Sequence, residues 1–567
     1  MMKTKEDNTF EAIVVGSGMS GGYAAKELCD KGIKTLVLER GRPVPHGDYP
    51  TANHDPWELE NAGRIPQATL KENPVVASCY AFDKTTEHFF VKDVEHPYVQ
   101  EKPFDWIRAY QEGGKSLLWA RGGQRWSKYD FEAPGRDGFG IEWPITYDEL
   151  APWYSEVEHF VGWSGNKDGL EHFPDGDFLP PFEMNCVEKE IKQKLESLYT
   201  DRHFVQGRAA HLTEVREIHR QQGRGMCMSR DLCSRGCPYG AYFSSNSSTL
   251  PWAKKTGNLT IRTHSVVHSI IYDEQKGKAT GVRVIDANTK EMTEYYARVI
   301  FLNAACLNSN LILMNSTSNR FPNGLGNDSG VLGRYIGFHN YRGTANGTYE
   351  GFDDQYYYGR RPVSPLIPPF RNVYKQDDVP FKGKYLISSG ARRSGWTRGF
   401  RSDKIGADLK KELQKPGAWS VNMRMSGEVI PVYDNHVRLS KTKTDDWGIP
   451  QLVTAIGFTE NDDNMTKDFL EQGVEILERI GVKNIRARDT GRTPGNDIHE
   501  MGGARMGKDP KTSVLNKWNQ IHSCKNVYVT DGACMASVST QNPSLTFMAI
   551  TARAANHAVE EMQKNNL

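Results

Sequence analysis

Near its start the chain reads Phe10-Glu-Ala-Ile-Val-Val-Gly16-Ser-Gly18-Met-Ser-Gly21-Gly22-Tyr-Ala-Ala-Lys-Glu-Leu28. The apolar start predicts a β-strand, the glycines predict a tight turn, and the small and apolar residues that follow predict an α-helix. Lys34-Thr-Leu-Val-Leu-Glu39 then predicts a second strand. The order strand, glycine turn, helix, strand is that of a Rossmann unit, so this stretch predicts an α/β domain that binds a dinucleotide.

Each glycine of this G-x-G-x-x-G turn has a separate task. Gly16 makes the turn tight, Gly18 lets the backbone approach a pyrophosphate, and Gly21 brings the helix against the strand. Glu39 ends the second strand where an acid binds ribose hydroxyls, and its charge disfavours a 2′-phosphate. An ordinary strand-to-helix turn is the alternative that a lone glycine pattern leaves open.

Length and composition narrow the class of protein. The 567 residues carry a net charge of +1, which indicates neither a nucleic acid nor an anionic membrane as partner. The length is roughly three to four typical domains, so we expect one large protein with insertions, or two to three domains. Most of the nine cysteines are scattered, as is typical of buried free thiols in a reducing compartment. The scattered ones are Cys29, Cys79, Cys186, Cys306, Cys524 and Cys534.

The first ten residues, Met-Met-Lys-Thr-Lys-Glu-Asp-Asn-Thr-Phe, are polar and lead straight into the first strand. They contain neither the apolar core of a secretory signal nor a twin-arginine pair. No later stretch of the sequence is long and apolar enough to cross a bilayer. We therefore expect a cytoplasmic protein, or one that reaches the periplasm only by export together with a partner that carries a signal.

Three later stretches also predict backbone that faces the dinucleotide. Residues 110–123 are glycine-rich and can run N–H groups along a flavin ring. Residues 297–309 predict a strand that ends in small residues before a helix, and residues 526–555 predict a strand followed by a helix with Pro in its first turn. The residues assigned to the cofactor are Gly16, Gly18, Gly21, Glu39, Arg40, Gly113, Gly114, Ser116, Val267, Ala304, Asp531, Gly532, Asn542, Pro543 and Ser544.

A cluster of three cysteines lies in the run Cys227-Met-Ser-Arg-Asp-Leu-Cys233-Ser-Arg-Gly-Cys237-Pro238. Thiols at this C-x5-C-x3-C-P spacing favour an iron–sulfur cluster or zinc over a disulfide. A zinc site requires a fourth ligand, and no further Cys lies near. Three free or zinc-bound cysteines are the alternative that the spacing leaves open.

Five motifs occur in order along the chain: Gly16-x-Gly18-x-x-Gly21, Gly113-Gly114-x-Ser116, Asn303-Ala304-Ala305, His499-Glu-Met-Gly502-Gly-Ala-Arg505-Met506-Gly507, and Asp531-Gly532 with Asn542-Pro543. Over nearly the whole chain this order resembles the glucose-methanol-choline (GMC) family of FAD oxidoreductases. The resemblance implies an α/β fold with a Rossmann-type FAD-binding domain (residues 1–50, 100–160, 225–338 and 497–567). It also implies an interleaved α+β substrate domain on an antiparallel sheet (residues 51–99, 161–224 and 339–496), with residues 225–240 as a cysteine-cluster loop.

The resemblance also assigns the chemistry. An alcohol must lose its O–H proton as its C–H hydride leaves, so a base within hydrogen-bond reach is required. His499 matches the family's base, and Asn542 matches the residue that hydrogen-bonds the same hydroxyl. Leu118 stands where pyranose oxidases carry a flavin-linked His, so non-covalent FAD is expected. Gly503-Ala504 departs from relatives that have Thr in this turn, so the turn is not expected to provide a hydroxyl contact.

The tail Thr540-Gln-Asn-Pro-Ser-Leu-Thr546 resembles the sugar-oxidising branch, which includes glucoside 3-dehydrogenase and FAD-dependent glucose dehydrogenase catalytic subunits. Their three cysteines hold a 3Fe–4S cluster, and Cys227, Cys233 and Cys237 match them. The resemblance implies oxidation of a ring hydroxyl of a pyranose or glycoside, with C3 favoured, and electron transfer through the cluster to a cytochrome or other acceptor. A small signal-bearing subunit is a further implied partner.

Other interpretations stay open at this stage. The protein can be a pyranose oxidase that uses oxygen, a C1 dehydrogenase of the glucose or gluconate type, or a non-catalytic electron-transfer subunit. Residues 340–496 are rich in Tyr, Trp, Arg and Asn, for example in Tyr356-Tyr-Tyr-Gly-Arg360-Arg361, and these residues suit pyranose rings as well as any strand-rich surface. His339, in a Gly-Arg-x-x-x-x-His element between the two domains, is expected to have a buried structural role.

Overall fold

The computed structural model describes residues 8–55, 57–355 and 362–567, so the aromatic run 356–361 lies outside the described residues. Helices and strands are interspersed along this part of the chain. The helices are α1 (Met19–Asp30), α2 (Gln67–Glu72), α3 (Lys128–Arg136), α4 (Tyr147–Val161), α5 (Cys186–Leu198), α6 (Glu217–Gln221), α7 (Thr249–Lys255), α8 (Cys306–Asn315), α9 (Gly406–Gln414), α10 (Glu460–Arg479) and α11 (Ser544–Gln563).

The strands are β1 (Ala12–Val15), β2 (Thr35–Leu38), β3 (Val99–Gln100), β4 (Trp163–Ser164), β5 (Phe178–Leu179), β6 (Leu259–Arg262), β7 (Ser265–Asp273), β8 (Lys278–Asp286), β9 (Met292–Tyr296), β10 (Val299–Leu302), β11 (Arg334–Gly337), β12 (His339–Asn340), β13 (Gly343–Tyr349), β14 (Leu366–Ile367), β15 (Tyr385–Arg393), β16 (Trp419–Glu428), β17 (His436–Thr444), β18 (Pro450–Ala455), β19 (Lys483–Asp489), β20 (Met501–Gly503), β21 (Gln520–Ile521) and β22 (Cys524–Val529).

A parallel sheet forms the first layer of the molecule. Its strand order is β21-β22-β10-β1-β2-β6, and every neighbouring pair is parallel except β21 with β22. Alternate residues of β1 enter different cores: Ala12 and Val14 pack with α1 and α11, whereas Ile13 and Val15 pack with the β7-β8-β9 sheet. All four residues of β1 are buried, as expected for a parallel strand that is covered on both faces.

An antiparallel sheet forms the second part, with the order β14-β15-β16-β13-β19 and β12 paired to β16. Along β16, Val421 and Met423 are buried, and the residue that follows each of them, Asn422 and Arg424, is exposed. This period of two is that of a strand with one covered face. Helix α10 covers that face and starts with a Thr459 capping box.

The parallel strands lie within 12–38, 259–302 and 524–529, and the large antiparallel sheet lies within 339–489. These positions agree with the predicted fold of a Rossmann-type domain and a substrate domain on an antiparallel sheet; the domain boundaries themselves stay a prediction. Strand β11 pairs with β20, and β12 begins two residues after β11 ends. His339 therefore lies where the two parts meet. Within the described part of the chain, no helix combines the length and hydropathy of a membrane-spanning helix.

Candidate active site

One large cavity lies between the ends of the parallel strands and the antiparallel sheet. Its volume is about 550 Å³, which is in the range of cofactor sites. The predicted cofactor residues that line it are Gly16, Gly18, Glu39, Arg40, Gly114, Ser116, Val267, Ala304, Asp531, Gly532, Asn542, Pro543 and Ser544, and His499 lines it as well. Gly21 and Gly113 do not line it. A Cβ at Gly21 would lie 2.0 Å from the Gly16 carbonyl oxygen, and one at Gly113 would lie 1.6 Å from Asn246 Oδ1, so both glycines serve packing.

The glycine turn tests whether the cavity fits a dinucleotide. Gly16 has φ +94°, and a Cβ there would lie 2.3 Å from the Asn303 carbonyl oxygen, so the fold itself requires this glycine. At Gly18 a Cβ would find only the Gly113 carbonyl oxygen, at 3.9 Å. The protein therefore does not require glycine at position 18. The free space belongs to the cavity, and it fits a pyrophosphate in direct contact with this backbone.

Helix α1 starts at the same turn. Gly18, Met19 and Ser20 at its N-terminus all line the cavity. The unpaired N–H groups and the positive end of the helix dipole face the position that a pyrophosphate takes. Ser544, the first residue of α11, lines another part of the same cavity.

Glu39 is held in a fixed orientation at the end of β2. Its Oε2 accepts hydrogen bonds from the Ser17 hydroxyl at 2.5 Å and from the Ser17 N–H at 3.2 Å, and its Oε1 accepts one from the Gly41 N–H at 2.9 Å. Burial raises the pKa of Glu39, and these donors act in the opposite direction. A carboxylate has about four acceptor sites, so Glu39 retains acceptor capacity for ribose hydroxyls.

The ends of β10 and β22 are tied together beside the cavity. Asn303 Oδ1 accepts from the Thr530 N–H at 3.2 Å and from the Thr530 hydroxyl at 2.8 Å. Asp531 Oδ2 accepts from the Ser309 hydroxyl at 2.6 Å, and burial raises the pKa of Asp531 to about 6. Ala305, two residues after Asn303, has a positive backbone φ of +71°. The strand ends are thus fixed by side chains more than 200 residues apart in sequence.

His499 is held by two neighbours. Its Nδ1 lies 2.8 Å from Nδ1 of the buried His339, whose Nε2 lies 3.1 Å from the Ser539 carbonyl oxygen. One carboxylate oxygen of Asp497 accepts from the His339 backbone N–H at 2.8 Å and from that of His499 at 3.2 Å. Burial lowers the pKa of His499 well below its ordinary value of 6.5, and nearby His339 and Lys115 lower it further. At neutral pH the imidazole is uncharged and can accept a proton.

Asn542 occupies the same cavity in a fixed orientation. Its Nδ2 donates to the Gly122 carbonyl oxygen at 3.2 Å, and its Oδ1 accepts from the Tyr341 hydroxyl at 3.2 Å. The Tyr341 ring stacks on His339, with centroids 5.9 Å apart, and lies edge-on to His499 at 6.1 Å. Tyr341 therefore connects the two predicted catalytic residues. An amide nitrogen carries two protons, so one donor of Asn542 remains for a ligand.

These residues fit FAD as the occupant. The open space at Gly18, the helix N-terminus and the oriented Glu39 suit its nucleotide half, and Leu118 lines the cavity without a group that can form a covalent link to a flavin. FAD bound here supplies a hydride acceptor. The protein supplies a neutral imidazole and an amide donor in the same cavity.

The three clustered cysteines line a second, separate cavity of about 30 Å³. Cys233 Sγ lies 3.9 Å from His211 Nε2. Among the described residues, one group of three His, Cys, Asp or Glu side chains has its ligand atoms within 4.8 Å of one another, and that group is His339, Asp497 and His499. The sulfurs of the three clustered cysteines are therefore not all this close together. The loop also contains Ser229 and Asp231 in the left-handed region, with φ +52° and +59°.

Two buried guanidinium groups flank this second cavity. Arg121 and Arg224 are 7% and 3% exposed. Their hydrogen bonds go to neutral oxygens: Arg121 donates to the Cys233 carbonyl, and Arg224 donates to the Gly240 and Val161 carbonyls and to the Gln222 amide. Burial lowers the pKa of Arg224 to about 9, and Cys237 is the group that opposes this shift. Buried cations with neutral partners favour an anion beside them.

One chain segment, residues 117–122, connects the two cavities through its contacts. Leu118, Trp119, Ala120 and Gly122 line the larger one. On the side of the smaller cavity, the Leu117 carbonyl accepts from the Tyr242 hydroxyl at 3.0 Å, and Arg121 donates to the Cys233 carbonyl and lies over the Tyr242 ring. The residues that line the two cavities are therefore in contact through this one segment.

Sequence reasoning missed several members of the site. Asp497 and Tyr341 were not singled out, and His339 was expected to be structural only. Asp497 precedes His499 by two residues, and such a short acid-x-His spacing is a signal that sequence inspection can find. The contact between His339 and His499 joins residues 160 positions apart, so no local pattern reveals it.

Comparison with known proteins agrees with this geometry. Two family models, both described as GMC oxidoreductase, match residues 142–336 and 431–551, which together are more than half of the chain. The chain is 26% identical to 2-methyl-1,2-propanediol dehydrogenase of Mycolicibacterium austroafricanum, over 98% of this chain and 96% of that protein. It is 24% identical to the fructose dehydrogenase large subunit of Gluconobacter japonicus, over 99% of this chain and 100% of that protein.

Among solved structures, the fold is similar to that of pyridoxine 4-oxidase from Mesorbium loti, with a TM-score of 0.58 and 17% identity over 97% of this chain and 99% of that one. It is also similar to a formate oxidase variant from Aspergillus oryzae, with a TM-score of 0.61 and 13% identity over 98% and 99% of the two chains. At these identities the structures show the fold alone. The glycine turn, the strand ends and the two family models lead to the same assignment, and the chain belongs to the GMC oxidoreductase family of FAD-dependent oxidoreductases.

Proposed function

We propose that the protein is an FAD-dependent dehydrogenase that oxidises a ring hydroxyl of a pyranose or glycoside, with C3 favoured, and passes the electrons to an external acceptor. The observation that carries the proposal is the presence of neutral His499, oriented Asn542 and the dinucleotide turn in one cavity. Of the two ring nitrogens of His499, Nδ1 is engaged by His339, which leaves Nε2 for a substrate proton.

The reaction divides between the protein and its cofactor. His499 Nε2 takes the hydroxyl proton, and Asn542 donates a hydrogen bond to the same oxygen and so fixes the carbon that is oxidised. Bound FAD would supply the acceptor for the hydride that leaves the same carbon, so that the alcohol would become a ketone. The proton later returns from His499 to solvent.

A further group of residues in the same cavity supports the proposed substrate class. Ser388, Arg424 and Ser426 of the antiparallel sheet line it together with Tyr341. Hydroxyl and guanidinium groups give the hydrogen bonds that a sugar ring needs, and one relative is named a fructose dehydrogenase. The choice of C3 depends on the likeness of the tail 540–546 to glucoside 3-dehydrogenases.

The cysteine cavity is the proposed outlet for electrons, with an iron–sulfur cluster of the 3Fe–4S type held by Cys227, Cys233 and Cys237. Four ligands around one zinc ion bring sulfurs within about 3.8 Å of each other, given a Zn–S bond of about 2.3 Å. Zinc therefore needs a fourth ligand and closely spaced sulfurs, whereas a cluster binds each cysteine to a different iron; the proposal of a cluster depends on the C-x5-C-x3-C-P spacing. An anionic cluster also offers countercharge to the buried Arg121 and Arg224.

The proposed partner is an electron-accepting protein, such as a cytochrome, that docks over this cavity. Met226, Met228 and Tyr239 at its mouth are 52%, 54% and 44% exposed. Exposed apolar side chains beside a redox group are typical of a surface that a partner covers. The fructose dehydrogenase relative is named as a large subunit, so a smaller subunit is part of the proposal, and export to the periplasm with such a subunit is proposed beside a cytoplasmic location.

Spectroscopy of anaerobically purified protein tests the proposal. Addition of methyl glucoside, glucose or a disaccharide should bleach the flavin bands, and mass analysis should find a 3-keto product. His499→Gln should slow bleaching at least about 100-fold, because a positioned general base contributes about 10²–10⁴. Hydrogen peroxide formed at the rate of turnover would identify an oxidase instead, and a lactone would identify C1 oxidation.

Cysteine variants test the electron outlet separately. Cys233→Ala should remove both iron and the electron paramagnetic resonance signal of a cluster, whereas Cys186→Ser, a change outside the cluster, should leave both unchanged. Bleaching of flavin by sugar should persist in both variants. Protein without iron in the wild type would refute the cluster and leave the flavin chemistry standing.

A further inference from the structure

The contact between His339 and His499 contains a single proton. The two Nδ1 atoms face each other at 2.8 Å, so one must donate and the other must accept. His339 Nε2 lies 3.1 Å from the Ser539 carbonyl oxygen, which can only accept. The Nε2 of His339 therefore carries its proton, and its Nδ1 is the acceptor. It follows that the proton of the shared contact belongs to Nδ1 of His499.

The backbone around both rings is fixed against rearrangement. Asp497 Oδ2 binds the N–H groups of His339 and His499 and so clamps the two chain segments together. Ile498, between Asp497 and His499, has φ +67°. A β-branched residue in this region is strained, and such strain persists only where the surroundings hold the backbone in place.

The Ser539 carbonyl is held as firmly on the other side of His339. Ser539 has φ +53°, and its N–H donates to Glu428 Oε1 at 2.9 Å. Its hydroxyl donates to Asp130 Oδ1 at 2.5 Å, and Lys384 Nζ lies 2.7 Å from the same carboxylate oxygen. All these side chains are buried. These contacts fix the position of the Ser539 carbonyl oxygen, the acceptor that decides the tautomer of His339.

We propose that His339 is a positioning residue that holds His499 in the tautomer with its proton on Nδ1 and its lone pair on Nε2, towards the cavity. The proposal rests on the proposed role of His499 as the base. His339 does not belong to the described residues that line the cavity, so it acts only through His499. When His499 takes a proton, its Nδ1–H donates to neutral His339 as a charge-assisted hydrogen bond, which favours the protonated product.

Two variants separate this role from simple packing. His339→Phe keeps a ring but removes the acceptor, so neither tautomer of His499 is selected. His339→Asn can place its Oδ1 near the position of the native Nδ1 and so keeps an acceptor. We expect kcat to fall at least about 100-fold in His339→Phe, with KM within about threefold of wild type, and to recover to within about tenfold in His339→Asn. The FAD content of both purified variants checks that they fold.

Nuclear magnetic resonance of ¹⁵N-histidine-labelled protein reads the tautomer itself, with the His499 signals assigned by their loss in His499→Gln. Wild type and His339→Asn should show an unprotonated Nε2, and His339→Phe should show a mixture or the opposite tautomer. An unprotonated Nε2 in folded His339→Phe overturns the proposal, whatever its activity. A changed tautomer with undiminished kcat leaves the positioning role intact and instead refutes His499 as the base.

Discussion

Replacement of Gly18 by Ala separates the demands of the fold from those of the cofactor. The backbone at Gly18 has φ −70°, which any residue adopts, and a Cβ there would meet only the Gly113 carbonyl oxygen, at 3.9 Å. The apoprotein therefore has room for a methyl group. A pyrophosphate in contact with this backbone does not, because the methyl group occupies the space it needs.

The expected magnitudes follow from these contacts. Gly18→Ala should change the free energy of unfolding of the apoprotein by less than about 1 kcal/mol. It should weaken FAD binding at least about tenfold, since the displaced pyrophosphate loses one or more charge-assisted hydrogen bonds of about 1.5–3 kcal/mol each. Gly16→Ala should instead destabilise the fold by about 2–4 kcal/mol, because φ +94° and a contact of 2.3 Å with the Asn303 oxygen both oppose a side chain.

Gly32 provides the matched control at the other end of helix α1. It has φ +81°, and no atom lies within 4 Å of the position that a Cβ would take, so Gly32→Ala measures backbone strain alone, about 1–2 kcal/mol. Urea unfolding of the three apoproteins and titration with FAD, followed by flavin fluorescence, give both quantities. Wild-type FAD affinity in Gly18→Ala, or unfolding of that variant as easily as Gly16→Ala, would refute the reasoning.

Three further predictions concern the cofactor linkage and the buried charges. Acid precipitation should release all FAD into the supernatant, because Leu118 cannot form a covalent link; yellow colour in the pellet would contradict this. Lys384→Met should cost about 3–5 kcal/mol of unfolding free energy by thermal or urea unfolding, since it leaves the buried Asp130 carboxylate without its countercharge, whereas exposed Lys382→Met should cost little. Burial raises the pKa of Glu428 from 4.5 to about 7, so the folded state holds this proton more tightly than the unfolded state and loses stability as pH rises from 4.5 to 7. Glu428→Gln should therefore be more stable than wild type at pH 8, by up to about 3 kcal/mol, and should match it near pH 4.5. Equal unfolding curves at pH 8 would contradict this.

Local patterns accounted for the nucleotide half of the site. The glycine turn, Glu39 and the Asp531-Gly532 strand end are each set by neighbours in sequence, because tight turns and strand ends depend on a few consecutive residues. All of these except Gly21 line the cavity, and Gly21 packs the helix on the turn as its predicted task requires. The parallel sheet was predicted from the same patterns, whereas the antiparallel sheet was predicted only from the resemblance to the GMC family.

The catalytic half depends on contacts that sequence inspection cannot supply. His339 meets Asp497 and Ser539 across 158 and 200 residues. These contacts form where the two parts of the molecule meet, because β11 pairs with β20 and β12 pairs with β16 of the antiparallel sheet. Only the tertiary structure brings such distant residues together. The cysteine loop is an intermediate case: the clustering was visible in the sequence, but the buried cation at Arg121, 112 residues before Cys233, was not.

The segment of residues 117–122, which connects the two cavities, constrains how this protein can change in evolution. Leu118, Trp119, Ala120 and Gly122 line the larger cavity, whereas Arg121 binds the Cys233 carbonyl of the cysteine loop. Insertion or deletion of one residue here would move Arg121 away from Cys233 and displace the residues that line the larger cavity, so it would disturb both compartments at once. Substitutions that tune one compartment remain open at each position, so we expect natural variants of this segment to differ in composition while they keep its length.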